Sequence, residues 1–198
     1  MVTRFALILS MISLAACQVA FDGTSPTSVD QLQFSDLSVA GATAQRDPDT
    51  LVPYGEVVRL CRAPQNLGQE IARIGGFTVY DSAPDSTDFR AHYITGFRDR
   101  CARQFSAALV TAGNAATHEF MRYLPANRST YNATDTAYEQ VKNRFCRVKS
   151  GEVCGQRVDA LNKRVAFITA YETFGSRPTW VEIFLHNGTM QAVDFKKR

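Results

Sequence analysis

The strongest constraint on the fold lies near the C-terminus. Two runs, Trp180–Leu185 and Met190–Phe195, flank the tetrapeptide His186-Asn187-Gly188-Thr189. Asn-Gly between two such runs marks a tight β-hairpin, because both central residues must take positive φ and these two residue types do so at low cost. A two-residue hairpin commits its strands to antiparallel pairing, since parallel neighbours need a long crossover. The run Val165–Phe174 just upstream extends the hairpin to a meander.

Further strands are expected at Phe77–Tyr80, at Phe89–Phe97 and at Phe105–Thr111, with a turn at Asp85–Asp88. In Phe89–Phe97 the residues Phe89, Ala91, Tyr93 and Phe97 alternate with Arg90 and His92, the period-two pattern of a strand with one buried face. Glu56–Arg62 sets Val57, Val58 and Cys61 on one helical face and stops before Pro64, which predicts a short helix. Asn114 is an N-cap for a helix running to Leu124 and ended by Pro125. Thr136-Ala-Tyr-Glu139 has the form of a capping box, followed by Tyr138, Val141, Phe145 and Val148 at near-helical spacing. Val158, Leu161 and Val165 predict a third short helix. Strands and helices come in blocks and do not alternate strictly. The expected class is therefore α+β: an antiparallel sheet with a C-terminal meander and hairpin, and three or four short helices.

The N-terminus has a different character. Arg4 precedes a mostly apolar run from Phe5 to Leu14, and Ala15-Ala16-Cys17 follows. A charged start, an apolar stretch and small residues are the layout of a secretory signal. The run is too short to span a bilayer, which needs about 20 apolar residues. Leu14-Ala15-Ala16-Cys17 resembles the lipobox of bacterial lipoproteins, and the resemblance covers residues 1–17 only. It implies cleavage before Cys17 and acylation of that residue. More than one acyl chain holds a protein stably in a membrane. The residue after the cysteine is Gln18 rather than Asp, which in enteric bacteria goes with the outer membrane. The expectation is an anchor in the cell envelope, facing the periplasm from the outer membrane in preference to the inner one.

The implied organisation is a signal at 1–16, a lipid-anchored tether at 17–53 and a single α+β domain at 54–198. The tether is rich in Ser, Thr, Ala, Asp and Gly, is punctuated by Pro26, Pro48 and Pro53, and carries a net charge of −4 over residues 18–53. As a flexible chain it reaches about 30–36 Å. Leu32–Val39 alternates loosely and is the one stretch of it with strand character.

An odd cysteine count in an exported chain asks for an explanation. The lipobox takes Cys17 and leaves Cys61, Cys101, Cys146 and Cys154 for an oxidising compartment. Three connectivities exist. The favoured one pairs Cys146 with Cys154 around Lys149-Ser150-Gly151, and by remainder Cys61 with Cys101. No Cys-x-x-Cys and no zinc spacing occurs.

Function is less legible. A net charge of +3 is too small to suggest nucleic acid. None of His92, His118 and His186 sits three or four residues from another, so no helical metal pair is expected, and all three read as surface or partly buried side chains. No Gly-x-Ser-x-Gly occurs. Glu172 and Glu182 fall on neighbouring strands and are the carboxylates to consider for glycan hydrolysis. Trp180, Phe184 and Phe195 read as core. Residues 54–198 carry a net charge of +6, and Arg98, Arg100 and Arg103 form the one cluster suited to anionic headgroups or envelope material. The sequence thus points to a monomeric, non-enzymatic binding or accessory module with no cofactor and no metal, meeting the membrane through Cys17 and an envelope partner through the domain. The alternatives are an anchored hydrolase of envelope polymers and an inhibitor of a secreted enzyme, which would present the Cys146–Cys154 loop.

Overall fold

The computed structural model describes residues 50–127, 129–175 and 179–197. The signal, Cys17 and the strand considered at Leu32–Val39 lie outside them.

Strands β1 (Val58–Leu60), β2 (Gln69–Ile74), β3 (Phe77–Asp81), β4 (Arg90–Thr95) and β5 (Ala102–Ala107) form an antiparallel sheet in the order β1-β5-β4-β3-β2. After the single residue Ala108, strand β6 (Leu109–Gly113) joins a second antiparallel sheet with β7 (Val165–Tyr171), β8 (Thr179–His186) and β9 (Thr189–Lys197), in the order β6-β7-β8-β9. The fold is α+β, with the expected C-terminal meander. At the hairpin tip Asn187 and Gly188 both have positive φ, 47° and 75°, the conformation that the Asn-Gly pair predicts.

The two sheets share a core. Phe77, Val79, Ile94 and Phe105 of the first meet Ala166, Ile168, Ala170, Val181, Ile183 and Leu185 of the second. The opposite face of the second sheet carries the helices α1 (Ala115–Arg122), α2 (Ala133–Cys146) and α3 (Val158–Asn162). There Tyr138 and Leu161 pack with Phe167 and Phe184. The order is sheet, sheet, helix layer.

Both expected disulfides are present. Cys61–Cys101 closes a separation of 40 residues and Cys146–Cys154 one of 8, with Cα atoms 4.1 and 5.3 Å apart. The first ties the segment after β1 to the start of β5, and the second ties the end of α2 to the turn before α3.

Four local expectations need correction. Glu56–Arg62 holds the short strand β1 instead of a helix. Only seven residues separate the start of that segment from Pro64, and the open edge of β5 offers backbone partners that so short a helix lacks. Phe105–Thr111 holds parts of two strands, one in each sheet. Helix α2 starts earlier than Thr136: its capping box is Asn132 with Asp135, each bonding the other's backbone N–H. In β4 the polar side faces inward. Ile94 and His92 are fully buried toward the second sheet, while Ala91 and Tyr93 pack in a separate cluster with Leu60 and Ala102 on the outer face. Both faces of β4 are covered, so alternation could not tell core from solvent.

Packing also begins before Tyr54. Val52 is buried and donates its N–H to Ser106 Oγ at 2.9 Å, and the Thr50 carbonyl accepts from Gln104 Nε2 at 3.1 Å.

Candidate functional site

The helix-covered face of the second sheet is half apolar and half charged. Cross-strand register places Thr169 beside Glu182 and Glu182 beside Asp194, with Trp180 and Lys196 paired one step further along. Two helices aim polar groups at this row. On α1, His118 and Arg122 are four residues apart and share a face. On α2, Asn132 caps the helix and turns Thr134 and Asp135 inward.

The groups interlock. Lys196 Nζ lies 3.1 Å from Asp135 Oδ1 and also pairs with Glu182 Oε2. Arg122 Nε donates to Asp135 Oδ2 at 3.1 Å, and its other nitrogens donate to the carbonyls of Asn127 and Ser129. The Thr134 hydroxyl donates to Glu182 Oε2 at 2.6 Å. Asp194 accepts the N–H of Ala133, in the first turn of α2. His118 stacks flat on Phe167 with ring centroids 4.0 Å apart, and its Nε2 is 3.8 Å from Asp135 Oδ1. Burial, reinforced by the positive charges of Lys196 and Arg122 against the pull of Asp135, holds the His118 pKa down at about 3. The imidazole is therefore neutral near pH 7.

A cleft of about 1240 Å³ opens over this floor, with Met121, Tyr171, Trp180 and Phe195 on its walls. Trp180 and Phe195 border the cleft, and only Phe184 of the three hairpin aromatics is buried in the core as expected. Ser129 and Thr130 also line the cleft, and the Thr134 hydroxyl beneath it already donates to Glu182.

A second buried polar cluster lies beneath the Cys146–Cys154 loop. Glu119 of α1 accepts from the Tyr138 hydroxyl and from the Cys154 N–H. Glu139 of α2 accepts from the Tyr123 hydroxyl, the Gly151 N–H and the fully buried Lys142. Burial first, and then these carboxylates, push the Tyr123 and Tyr138 hydroxyls far above their ordinary range. The loop is thus tied to two helices at Gly151 and Cys154, while the side chains of Lys149, Ser150, Glu152 and Val153 are exposed.

The residues singled out in the sequence fare unevenly. Cys61, Cys101, Cys146 and Cys154 form their pairs. Arg98 and Arg100 are exposed, but Arg103 is buried, bound to Asp99 at 2.8 Å and laid over the Phe97 ring at 4.2 Å. Asp99 also binds Arg59 at 2.9 Å. The three arginines do not form one exposed patch, because Arg103 points into the end of the sandwich. Glu172 and Glu182 separate as well: Glu172 acts on the Tyr54 hydroxyl, whose pKa is raised mainly by burial, whereas Glu182 faces the helices and meets Asp135 through Lys196. The grouping of His118 with Asp135 and Lys196 went unread because 17 and 61 residues separate them in sequence.

Comparison of the chain with protein-family models, with curated proteins and with solved structures gives no match, so the site is read from its own chemistry.

Proposed function

We propose that the chain is a lipid-anchored envelope lipoprotein, held through Cys17 in the outer membrane and facing the periplasm, whose domain is a monomeric, non-enzymatic binding module. The anchor is supported by Leu14-Ala15-Ala16-Cys17. The observation that carries the binding role is the cleft, which is wide, walled by Met121, Tyr171, Trp180 and Phe195 together with polar Asn127, Ser129 and Thr130, and floored by charges that are already matched. Asp135 is bound by Arg122 and Lys196, and Glu182 by Lys196 and Thr134. A general acid or base needs a carboxyl free to exchange a proton with substrate, and a floor matched in this way supports recognition better than turnover.

Two measurements test the reading. Cys17→Ser should release the protein from the membrane fraction, and mass spectrometry of the wild type should find an acylated N-terminus at Cys17. Trp180 is the chain's single tryptophan and borders the cleft, so its emission reports occupancy. Titration with lipid headgroup and cell-wall fragments in the presence of a chelator should give a saturable change that Met121→Arg abolishes. Breakdown of those fragments, lost in Glu182→Gln, would replace binding with hydrolysis; no change with any fragment would remove the cleft as the binding site.

A further inference from the structure

We propose that His118, Asp135 and Glu182 form a binding site for a divalent transition-metal ion, and that Lys196 holds the cation position when the metal is absent. The inference deepens the binding-module reading and rests on the same cleft.

One ligand atom from each of the three residues falls within 4.8 Å of the other two. Around an ion with bonds of roughly 2.0–2.2 Å, donors stand about 3–4 Å apart, so small side-chain rotations bring the three to bonding distance. The carboxylates are already arranged about a cation, because the Lys196 ammonium pairs with both.

His118 is the independent observation. Its side chain is only 7% exposed and borders the cleft, and its Nε2 stands 3.8 Å from Asp135 Oδ1, beyond hydrogen-bond reach. This ring is also fixed: Phe167 stacks against one face, and Tyr138 meets it edge-on at 4.6 Å. A rigid, unbonded imidazole directed at two carboxylates that share a cation is a metal ligand in waiting.

The surroundings fit the same purpose. Arg122 holds Asp135 by Oδ2 and leaves Oδ1 toward the centre, and Thr134 orients Glu182. Such outer partners set ligand direction and tune affinity. Lys196 can leave, since it lies on the edge strand β9 beside the open cleft. A doubly charged ion matches two carboxylates better than one ammonium does. One nitrogen and two carboxylate donors suit Zn²⁺, Mn²⁺ or Fe²⁺, whereas Ca²⁺ and Mg²⁺ favour all-oxygen shells. The cleft side would leave coordination positions for water or for an anionic group of the bound ligand.

The test uses the full chain in detergent, stripped with chelator and dialysed against Zn²⁺ at pH 7. Wild type should bind one Zn²⁺ per chain, and Lys196→Gln should bind it at least tenfold more tightly because the competing ammonium is gone. Adding His118→Gln to Lys196→Gln should reverse that gain, while Mg²⁺ in place of Zn²⁺ should bind at least tenfold more weakly. A His118 ring-nitrogen resonance that shifts with Zn²⁺ in the Lys196→Gln chain gives a readout that needs no histidine variant. The inference is overturned if Lys196→Gln binds no more tightly than wild type, if the double variant binds as tightly as Lys196→Gln, or if the resonance stays in place. The Trp180 titration is run with chelator present, so failure of the metal site leaves the binding-module reading standing, and failure of that titration leaves the metal result standing.

Discussion

Lys142 is the most exacting test of how this fold tolerates charge in its interior. Its side chain is fully buried, with Nζ 2.6 Å from Glu139 Oε2 and 2.5 Å from the Tyr123 hydroxyl. It also lies over the Tyr123 ring at 4.8 Å. Among the described residues, Lys142 is the cation paired with Glu139, and Glu119 nearby is bound only by uncharged donors, the Tyr138 hydroxyl and the Cys154 N–H. Lys142→Met keeps most of the apolar stem and deletes the ammonium. Two buried carboxylates then face each other across Tyr123 and Tyr138 with no positive charge between them. Breaking a buried ion pair from one side costs about 3–5 kcal/mol. For a domain of this size that lowers Tm by about 6–20 °C.

The control is Lys142→Met combined with Glu139→Gln. The neutral amide can accept from the Gly151 N–H through its oxygen and donate to the Tyr123 hydroxyl through its nitrogen, so the double variant should recover about 0.5–3 kcal/mol of the loss, the range seen for contacting pairs in double-mutant cycles. Thermal melts followed by far-ultraviolet circular dichroism, with both disulfides intact, measure all four corners of the cycle. A Lys142→Met protein that melts within about 2 °C of wild type, a shift worth about 1 kcal/mol or less, would refute the reasoning. A double variant no more stable than Lys142→Met would do the same.

Three further outcomes follow from the geometry. In the chain-entropy view, removing Cys61–Cys101 should cost about 4 kcal/mol and removing Cys146–Cys154 about 2.5 kcal/mol, because the loops differ in length; denaturant midpoints of the paired Cys→Ser variants check the order. Arg103→Gln should cost about 1.5–3 kcal/mol through its lost charged hydrogen bonds, while Arg98→Gln and Arg100→Gln should stay within about 0.5 kcal/mol of wild type. His92 is fully buried, and burial outweighs the pull of Asp81 to hold its pKa below the ordinary value. The unfolded chain therefore takes up this proton first as pH falls, so the associated stability is intact above about pH 6.5 and declines below it by up to about 1.4 kcal/mol per unit. Denaturant midpoints at pH 7 and pH 5 should separate less in His92→Phe than in wild type.

How far the sequence could be read depends on whether the deciding interaction is local. The Asn187-Gly188 turn, the Asn114 cap and the Cys146–Cys154 closure each act over a few residues, and the fold contains all three. The helix expected at Glu56–Arg62 failed because a distant partner, β5, offered its edge. Arg103 was read as surface because Asp99 and Phe97, which hold it, bond it only after the chain turns at Arg100, where φ is 59°. The inner face of β4 was misjudged because burial of both faces removes the contrast on which period-two reading relies.

The candidate site escaped for a related reason, and its trace was nonetheless present. In the C-terminal hairpin Val181, Ile183 and Val193 alternate with Glu182 and Asp194, so the charged side reads as solvent-facing. What covers it is α2, whose buried positions include Thr134, Asp135, Glu139 and Lys142. Apolar residues alone could not tell which face of α2 would be buried, because that face is half polar. A helix of this kind cannot bury its polar side against an ordinary apolar sheet without leaving charges unmatched, which costs several kcal/mol for each ion. It needs a sheet whose outer face carries complementary groups, and Glu182, Asp194 and Lys196 are such groups. The two irregular patterns, a hairpin with charges on one side and a helix with charges on its inner side, explain each other only when the two faces meet. That meeting brings His118 and Asp135 from the helices to Glu182 and Lys196 on the strands, and the cleft opens above it.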